Sequence, residues 1–322
     1  MTVAVIGGSG FIGTRLISLL RERGVEVLNV DLMPSALHDD ITTIADVRSA
    51  EQLTAAVAGA EAIVNLAAAH RDDVRPVSLY DQINVGGARA VAAAAEANGI
   101  RRIVFTSTVA VYGLGEEGGG AEDEAPSPFN AYGRTKLEAE GVLRHWADAD
   151  PARTLVVVRP SVVFGEGNRG NVFTLASQLA AGRFVMVGSG RNHKSMSYVG
   201  NVVTYLANSL AAGPGVQLVN YADKPDLTTA ELIETLSALL GRPRSAVHLP
   251  FPIGLAGGYL FDAAARISHR RFSISAIRIR KFVAETTVDT RRLEATGFVR
   301  PFTLPEALSR TIAADFPPQH GS

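Results

Sequence analysis

The sequence predicts an α/β protein built on a doubly wound parallel sheet, with a smaller C-terminal substrate-binding lobe. Three observations lead there. Short β-branched runs alternate with longer Ala- and Leu-rich stretches through the first half of the 322 residues. The short runs are apolar almost without interruption, as strands buried on both faces of a parallel sheet must be. A cluster of glycines, Gly7, Gly8, Gly10 and Gly13, follows the first run directly.

The first strand is expected at 2–6 and the first helix at 11–23, opening inside the glycine cluster. Further strands are expected at 25–30, 62–66, 103–106 and 155–158, with helices at 50–57 and 86–98 between them. Such crossovers are required, because a tight turn cannot return the chain to the starting end of a parallel strand. Residues 115–128 break the alternation with three consecutive glycines, five acidic residues and two prolines. They read as a mobile surface loop, either a solvated connector or a lid.

Beyond about Phe164 the pattern loosens. Helices are expected at 172–181, 201–211, 229–240 and 305–314. The chain therefore divides into a dinucleotide-binding domain at 1–165 and a second part at 166–322. That part is mainly a substrate-binding lobe, with some elements returning to the sheet. The stretch 249–265 is apolar but contains Pro250, Pro252, Asp262 and three glycines. It reads as a packed helix covering a pocket in preference to a membrane-surface element.

Composition narrows the function. At 47% hydrophobic and 20% charged residues the chain is globular. A formal net charge of -1 gives no broad field for nucleic acid or an anionic membrane, so phosphate recognition must be local. The absence of cysteine excludes disulfides, thiolate metal sites and a cysteine nucleophile. No two of the seven histidines stand at i, i+4, and no metal is expected. The first strand begins too early for a leader, and no apolar run approaches the ~20 residues that span a bilayer. A soluble, cytoplasmic protein is expected.

Gly8, Gly10 and Gly13 satisfy G-x-G-x-x-G, and Gly7, Gly10 and Gly13 satisfy G-x-x-G-x-x-G, with Phe11 and Ile12 enclosed. Between a strand and a helix, such a turn lets backbone N–H groups approach a pyrophosphate at the positive end of the helix. The motif alone is weak; its place after one element and before the other gives it meaning. The second strand ends at Asp31, 18 residues past Gly13. A carboxylate there accepts from ribose hydroxyls and repels a 2′-phosphate. Leu32 and Met33 follow with no arginine, so NAD is favoured over NADP. Asp46 and Val47 close the next short run and are candidates to cap the adenine.

Tyr132 and Lys136 stand at i, i+4, which puts a phenol and an ammonium on one helix face. A tyrosine with its ordinary pKa near 10 is a poor base at neutral pH. A nearby ammonium, with a positive nicotinamide ring, favours the phenolate. The pair lies 25 residues beyond Ser107, itself at a strand end.

Taken in order, Gly7-x-x-Gly10-x-x-Gly13, Asn65-Leu66-Ala67-Ala68, Asn84-Val85-x-Gly87, Ser107-Thr108-x-x-Val111-Tyr112-Gly113 and Tyr132-x-x-x-Lys136 resemble the extended short-chain dehydrogenase/reductases. The set is similar to their NAD-dependent nucleotide-sugar epimerase/dehydratase branch. It covers 1–165 closely and the rest more loosely. The resemblance implies a Rossmann domain, with Tyr132 as catalytic base and Lys136 lowering its pKa and holding the nicotinamide ribose. It makes Thr108 the hydroxyl that holds the reacting oxygen. It places Leu66, Ala67 and Ala68 along the cofactor's pyrophosphate side, with Asn84 near them.

Departures from the family pattern carry information. The 4,6-dehydratases have an Asp-Glu pair after the threonine, where this chain has Val109-Ala110, so dehydration is not expected. Galactose-type epimerases have asparagine at Val162. Their diphosphate-binding arginine falls at Lys194, which keeps the charge and loses the bidentate fork. Arg278 and Arg280 are candidates for a second arginine, and Asn171 matches a diphosphate-facing position. The resemblance implies an NAD-dependent 4-epimerase of a UDP-hexose working through a transient keto-sugar. A one-way dehydrogenase or keto-reductase on a keto-sugar nucleotide or hydroxysteroid-like alcohol is the alternative, and a non-catalytic NAD sensor a third. A homodimer built on the small-residue helix 86–98 is also in view.

Overall fold

The computed structural model describes residues 1–71, 74–113, 120–242, 248–268 and 276–317, the side chains of 263–268 excepted. In chain order, β1 (Thr2–Ile6), α1 (Phe11–Glu22), β2 (Glu26–Asp31), β3 (Thr42–Ile44) and α2 (Ala50–Ala56) come first. β4 (Ala62–Asn65) follows, then a short α3 (Ser78–Tyr80) that runs through a π-helical turn, Asp81–Gly86, into α4 (Gly87–Ala97). β5 (Arg102–Thr106), α5 (Ala131–Asp148) and β6 (Thr154–Pro160) complete the first half. The second half contains β7 (Val162–Phe164), α6 (Asn171–Ala180), β8 (Met186–Val187), β9 (His193–Tyr198), α7 (Val199–Ser209) and β10 (Gly215–Tyr221). β11 (Asp223–Thr228), α8 (Thr229–Leu239), β12 (His248–Leu249), α9 (Phe251–Ser268), α10 (Ala276–Val283), α11 (Arg291–Ala295) and α12 (Leu304–Asp315) end it.

Seven strands form one sheet in the order β10-β6-β5-β4-β1-β2-β3, every pair parallel. The five expected strands are all in it. β10 returns from the second half to pair with β6 along its length. The sheet separates two cores by the pleat. Val3 and Val5 of β1 face α1 and α7, while Ala4 and Ile6 face α2 and α4, and all four are 0–2% exposed. That double burial is why these strands read as unbroken apolar runs. β1 lies between β2 and β4, so the winding reverses beside it and a crevice opens at the carboxyl ends.

Elsewhere the second half departs from the expectation. A three-stranded sheet, β11-β9-β7, and a two-stranded one, β12-β8, support the lobe. β9 and β11 are polar in sequence, yet β9 is buried from Ser195 to Tyr198. Side-chain bonds replace apolar packing there: Ser195 Oγ donates to Asp226, and Asp223 accepts from the Tyr198 and Asn201 nitrogens.

Much of the acidic loop, 114–119, lies outside the described residues, but its remainder is anchored. Asn220 of β10 donates through its side chain to Gly120 O and through its backbone to Glu122. Gly87 of α4 packs closely on Val47, where a Cβ would sit 3.0 Å away. Residues 251–268 are helical as expected, but α9 turns an apolar face outward.

Candidate active site

The glycine turn fits a dinucleotide. Gly7 has a φ of 81°, and a Cβ there would lie 2.7 Å from Ala67 N. A Cβ on Gly13 would lie 2.4 Å from the Gly8 Cα, so α1 approaches the turn only because neither residue has a side chain. Gly10 is the N-cap of α1 and no side chain caps it, so the N–H groups at Phe11 and Ile12 stay available to a phosphate. Leu66, Ala67 and Ala68 emerge from β4 beside it, partly exposed.

Asp31 ends β2 at the mouth of this turn. One carboxylate oxygen accepts from Ser9 N at 3.0 Å and the other from Met33 N at 3.1 Å. These bonds fix the group and leave lone pairs for a diol. Asp46 is differently placed: Arg48 grips its carboxylate and holds it below the usual carboxylate range. Its neighbour Val47 packs against Gly87. Asn84 is buried in the π-helical turn and is fully engaged, accepting from Ala69 N at 2.8 Å and donating to Ala69 O and to Thr135 Oγ1. It therefore positions the 66–69 segment.

Thr108 follows β5 and caps a 3-10 turn, Val109–Tyr112, by accepting from Ala110 N at 3.1 Å. The same side chain lies close enough to the Tyr132 phenol to lower its pKa. Tyr132 and Lys136 both lie in the first turns of α5, whose N-cap Asn130 accepts from Gly133 N at 2.8 Å. Gly133 is required by close packing, since a Cβ would lie 2.4 Å from Ala110 O. The turn carrying Thr108 and the helix carrying Tyr132 thus meet at that glycine.

The electrostatics differ from the expected lysine-driven activation. Burial pushes the Tyr132 phenol up to about 12, partly offset by the nearby Thr108 hydroxyl. Burial also pulls the Lys136 ammonium down to about 7, against the field of Glu140. Lys136 is 1% exposed and lies 4.1 Å from the Phe105 ring centroid. Desolvation dominates both groups, so a charge brought by a ligand has strong leverage here.

Sequence reasoning missed the group beneath this pair. Glu140, one turn after Lys136, is buried and accepts from Ser107 Oγ and from two nitrogens of Arg159, at 2.9 and 2.6 Å. Arg159 also donates to Tyr112 Oη at 2.7 Å, which donates to Asn220. The signal was available, because an acid at i+4 from Lys136 shares its inward face.

The expected diphosphate group is only partly assembled. Lys194 Nζ donates to Lys281 O at 2.9 Å and Ala284 O at 2.6 Å, so it clasps β9 to the end of α10. Burial lowers its pKa to about 8. Two of the three donors of its ammonium are thus engaged within the chain. Arg278 and Arg280 are exposed on α10, where Arg280 donates to Tyr259 Oη at 2.6 Å. Asn171 is exposed at the start of α6.

A family model described as NAD dependent epimerase/dehydratase matches residues 3–220. Over 316 residues the chain is 44% identical to the N-acetyl-α-D-glucosaminyl-diphospho-ditrans,octacis-undecaprenol 4-epimerase of Escherichia coli O157:H7, covering 98% of this chain and 95% of that protein. It is 28% identical over 265 residues to the UDP-glucose 4-epimerase of Vibrio cholerae, covering 78% and 79%. Its fold matches the structure of a UDP-glucose 4-epimerase from Thermotoga maritima with a TM-score of 0.78, at 21% identity and 98% coverage of both chains.

Proposed function

The chain belongs to the NAD-dependent epimerase/dehydratase family, and on that premise we propose that it inverts C4 of an N-acetylhexosamine carried on a polyprenyl diphosphate. The observation that carries this reading is the 44% likeness to a lipid-linked-sugar 4-epimerase, which continues through the C-terminal lobe. Substrate choice lies in that lobe, and the likeness to a UDP-sugar enzyme is lower and covers less of the chain. The UDP-hexose expected from sequence shares the diphosphate and is the natural comparator.

The site supplies what inversion needs and lacks what dehydration needs. Tyr132 takes the proton of the sugar hydroxyl, and Thr108, whose hydroxyl neighbours the phenol, holds that oxygen. Lys136, beside them on α5, supplies positive charge when protonated. NAD, held at the glycine turn and by Asp31, would supply the hydride acceptor. Val109 and Ala110, directly after Thr108, carry no proton donor or acceptor with which to expel water.

The test offers the purified protein N-acetylglucosamine on a short polyprenyl diphosphate and, separately, on UDP. Conversion of the lipid-linked sugar to its C4 epimer, faster than the UDP sugar and with no net absorbance of reduced cofactor, is expected. Preference for the UDP sugar, or stoichiometric reduction of cofactor, overturns the proposal.

A further inference from the structure

We propose that the outward face of α9, with the cations of α10 beside it, docks onto an anionic phospholipid bilayer. This rests on the reading that the substrate is lipid-linked. α9 is fixed by its two closest contacts: a Cβ on Gly254 would lie 2.5 Å from Val187 Cγ1, and one on Gly258 would lie 2.8 Å from Ala276 Cα. The opposite face presents Pro252, Ile253, Ala256, Tyr259 and Leu260, all exposed, with Ile253 at 58% and Leu260 at 72%. Helical spacing puts these five on one stripe, and none is charged. A surface helix ordinarily turns its polar side to water, and a contiguous apolar face marks a binding surface.

Charge beside this face selects the occupant. α10 packs on α9 through Ala276 and adds exposed Ile277 together with Arg278, Arg280 and Lys281. Arg280 is held against the apolar stripe by its bond to Tyr259 Oη. Apolar residues with basic side chains at their margin are the composition of an interfacial helix, whose apolar side enters the headgroup region while its cations meet anionic lipid. No helix among the described residues is long and apolar enough to cross a membrane, so α9 lies in the plane of the surface. The near-zero net charge is compatible with this, because the attraction is local to α10.

The surface is also joined to the active site. Lys281 Nζ lies 5.1 Å from the Phe129 ring centroid, and Phe129 is 40% exposed three residues before Tyr132. A polyprenyl tail leaving the site beside Phe129 meets α10 and then α9, and reaches the bilayer without crossing water.

The test is flotation of the full chain, with NAD, on vesicles of phosphatidylethanolamine and phosphatidylglycerol against vesicles of phosphatidylcholine. The wild type is expected to float with the anionic vesicles and to be released by high salt. Ile253→Ser/Leu260→Ser is expected to lower partitioning by at least about tenfold. Retained stabilisation by NAD serves as its folding control. Arg280→Gln/Lys281→Gln is a second variant, expected to lose the preference for anionic vesicles. A wild type that stays at the bottom overturns the proposal, as does a serine variant that floats equally well. A serine variant that converts a dimer to a monomer, with no vesicle binding by the wild type, assigns the face to a second copy and also overturns it. A water-soluble short-chain substrate separates this from the functional reading. Turnover without flotation removes the docking surface alone. Flotation with turnover of UDP sugars only removes the lipid-linked substrate alone.

Discussion

At the scale of single residues, Tyr132 and Lys136 are set against each other by burial, with the phenol at about 12 and the ammonium at about 7. A phenol in that state is not a base near neutrality. The positive charge of oxidised cofactor, placed in a desolvated site, is the field able to shift it. The difference spectrum between wild type and Tyr132→Phe near 295 nm should show no phenolate at neutral pH without cofactor, and phenolate when NAD⁺ is added. NADH should produce none. Tyr132→Phe should lower kcat by about 10²–10⁴ while still binding NAD, as expected for loss of a general base. Lys136 carries a stability signature of its own. Its folded pKa lies below the ordinary 10.5, so between about 7 and 10.5 the unfolded chain holds the extra proton and stability rises with pH. Below about 7 the cost of burying the charge is fully present. Lys136→Met should remove that slope, read from urea midpoints across the range, and should be the more stable protein at the acid end.

Elements explain which residues the sequence disclosed. The glycine turn was legible because each of its glycines answers a local steric demand, as at Gly13 against the Gly8 backbone. Gly13→Ala should weaken NAD binding by about two orders of magnitude or more, an effect of a few kcal/mol, measured by quenching of Trp146 or by calorimetry. The parallel strands were legible because double burial removes polar residues from them. β9 and β11 were not, because their side chains satisfy one another across the lobe, as Ser195 does with Asp226. The Glu140–Arg159 pair was legible only in part: Glu140 shares the inward face of Lys136, but Arg159 stands nineteen residues away in sequence and on a different element. Glu140→Gln leaves the Arg159 guanidinium buried without its counter-ion, and should cost about 3–5 kcal/mol of stability in chemical denaturation. It should also lower the Lys136 pKa further, since the Glu140 field supports that proton.

For the whole molecule, the seven-stranded sheet opens a crevice beside β1 where the winding reverses, the place at which sheets of this kind receive ligands. Asp31 and α1 reach it from one side, and Thr108 and α5 from the other. The second half contributes β10 to that sheet and α7 to one of its faces, and its lobe carries, at α9 and α10, an apolar and basic face. The glycine turn and Asp31 were legible because they stand close together in the chain. The clasp on Lys194 was not, because it is formed by carbonyls of a distant segment. The central claim is that one bound cofactor removes and returns the same hydride. It is tested most directly by following a polyprenyl-diphosphate sugar carrying deuterium at C4 through the reaction by mass spectrometry. Retention of the deuterium at C4 in both epimers, with no reduced cofactor released, is the predicted result. Loss of the label to water or to free NADH contradicts it.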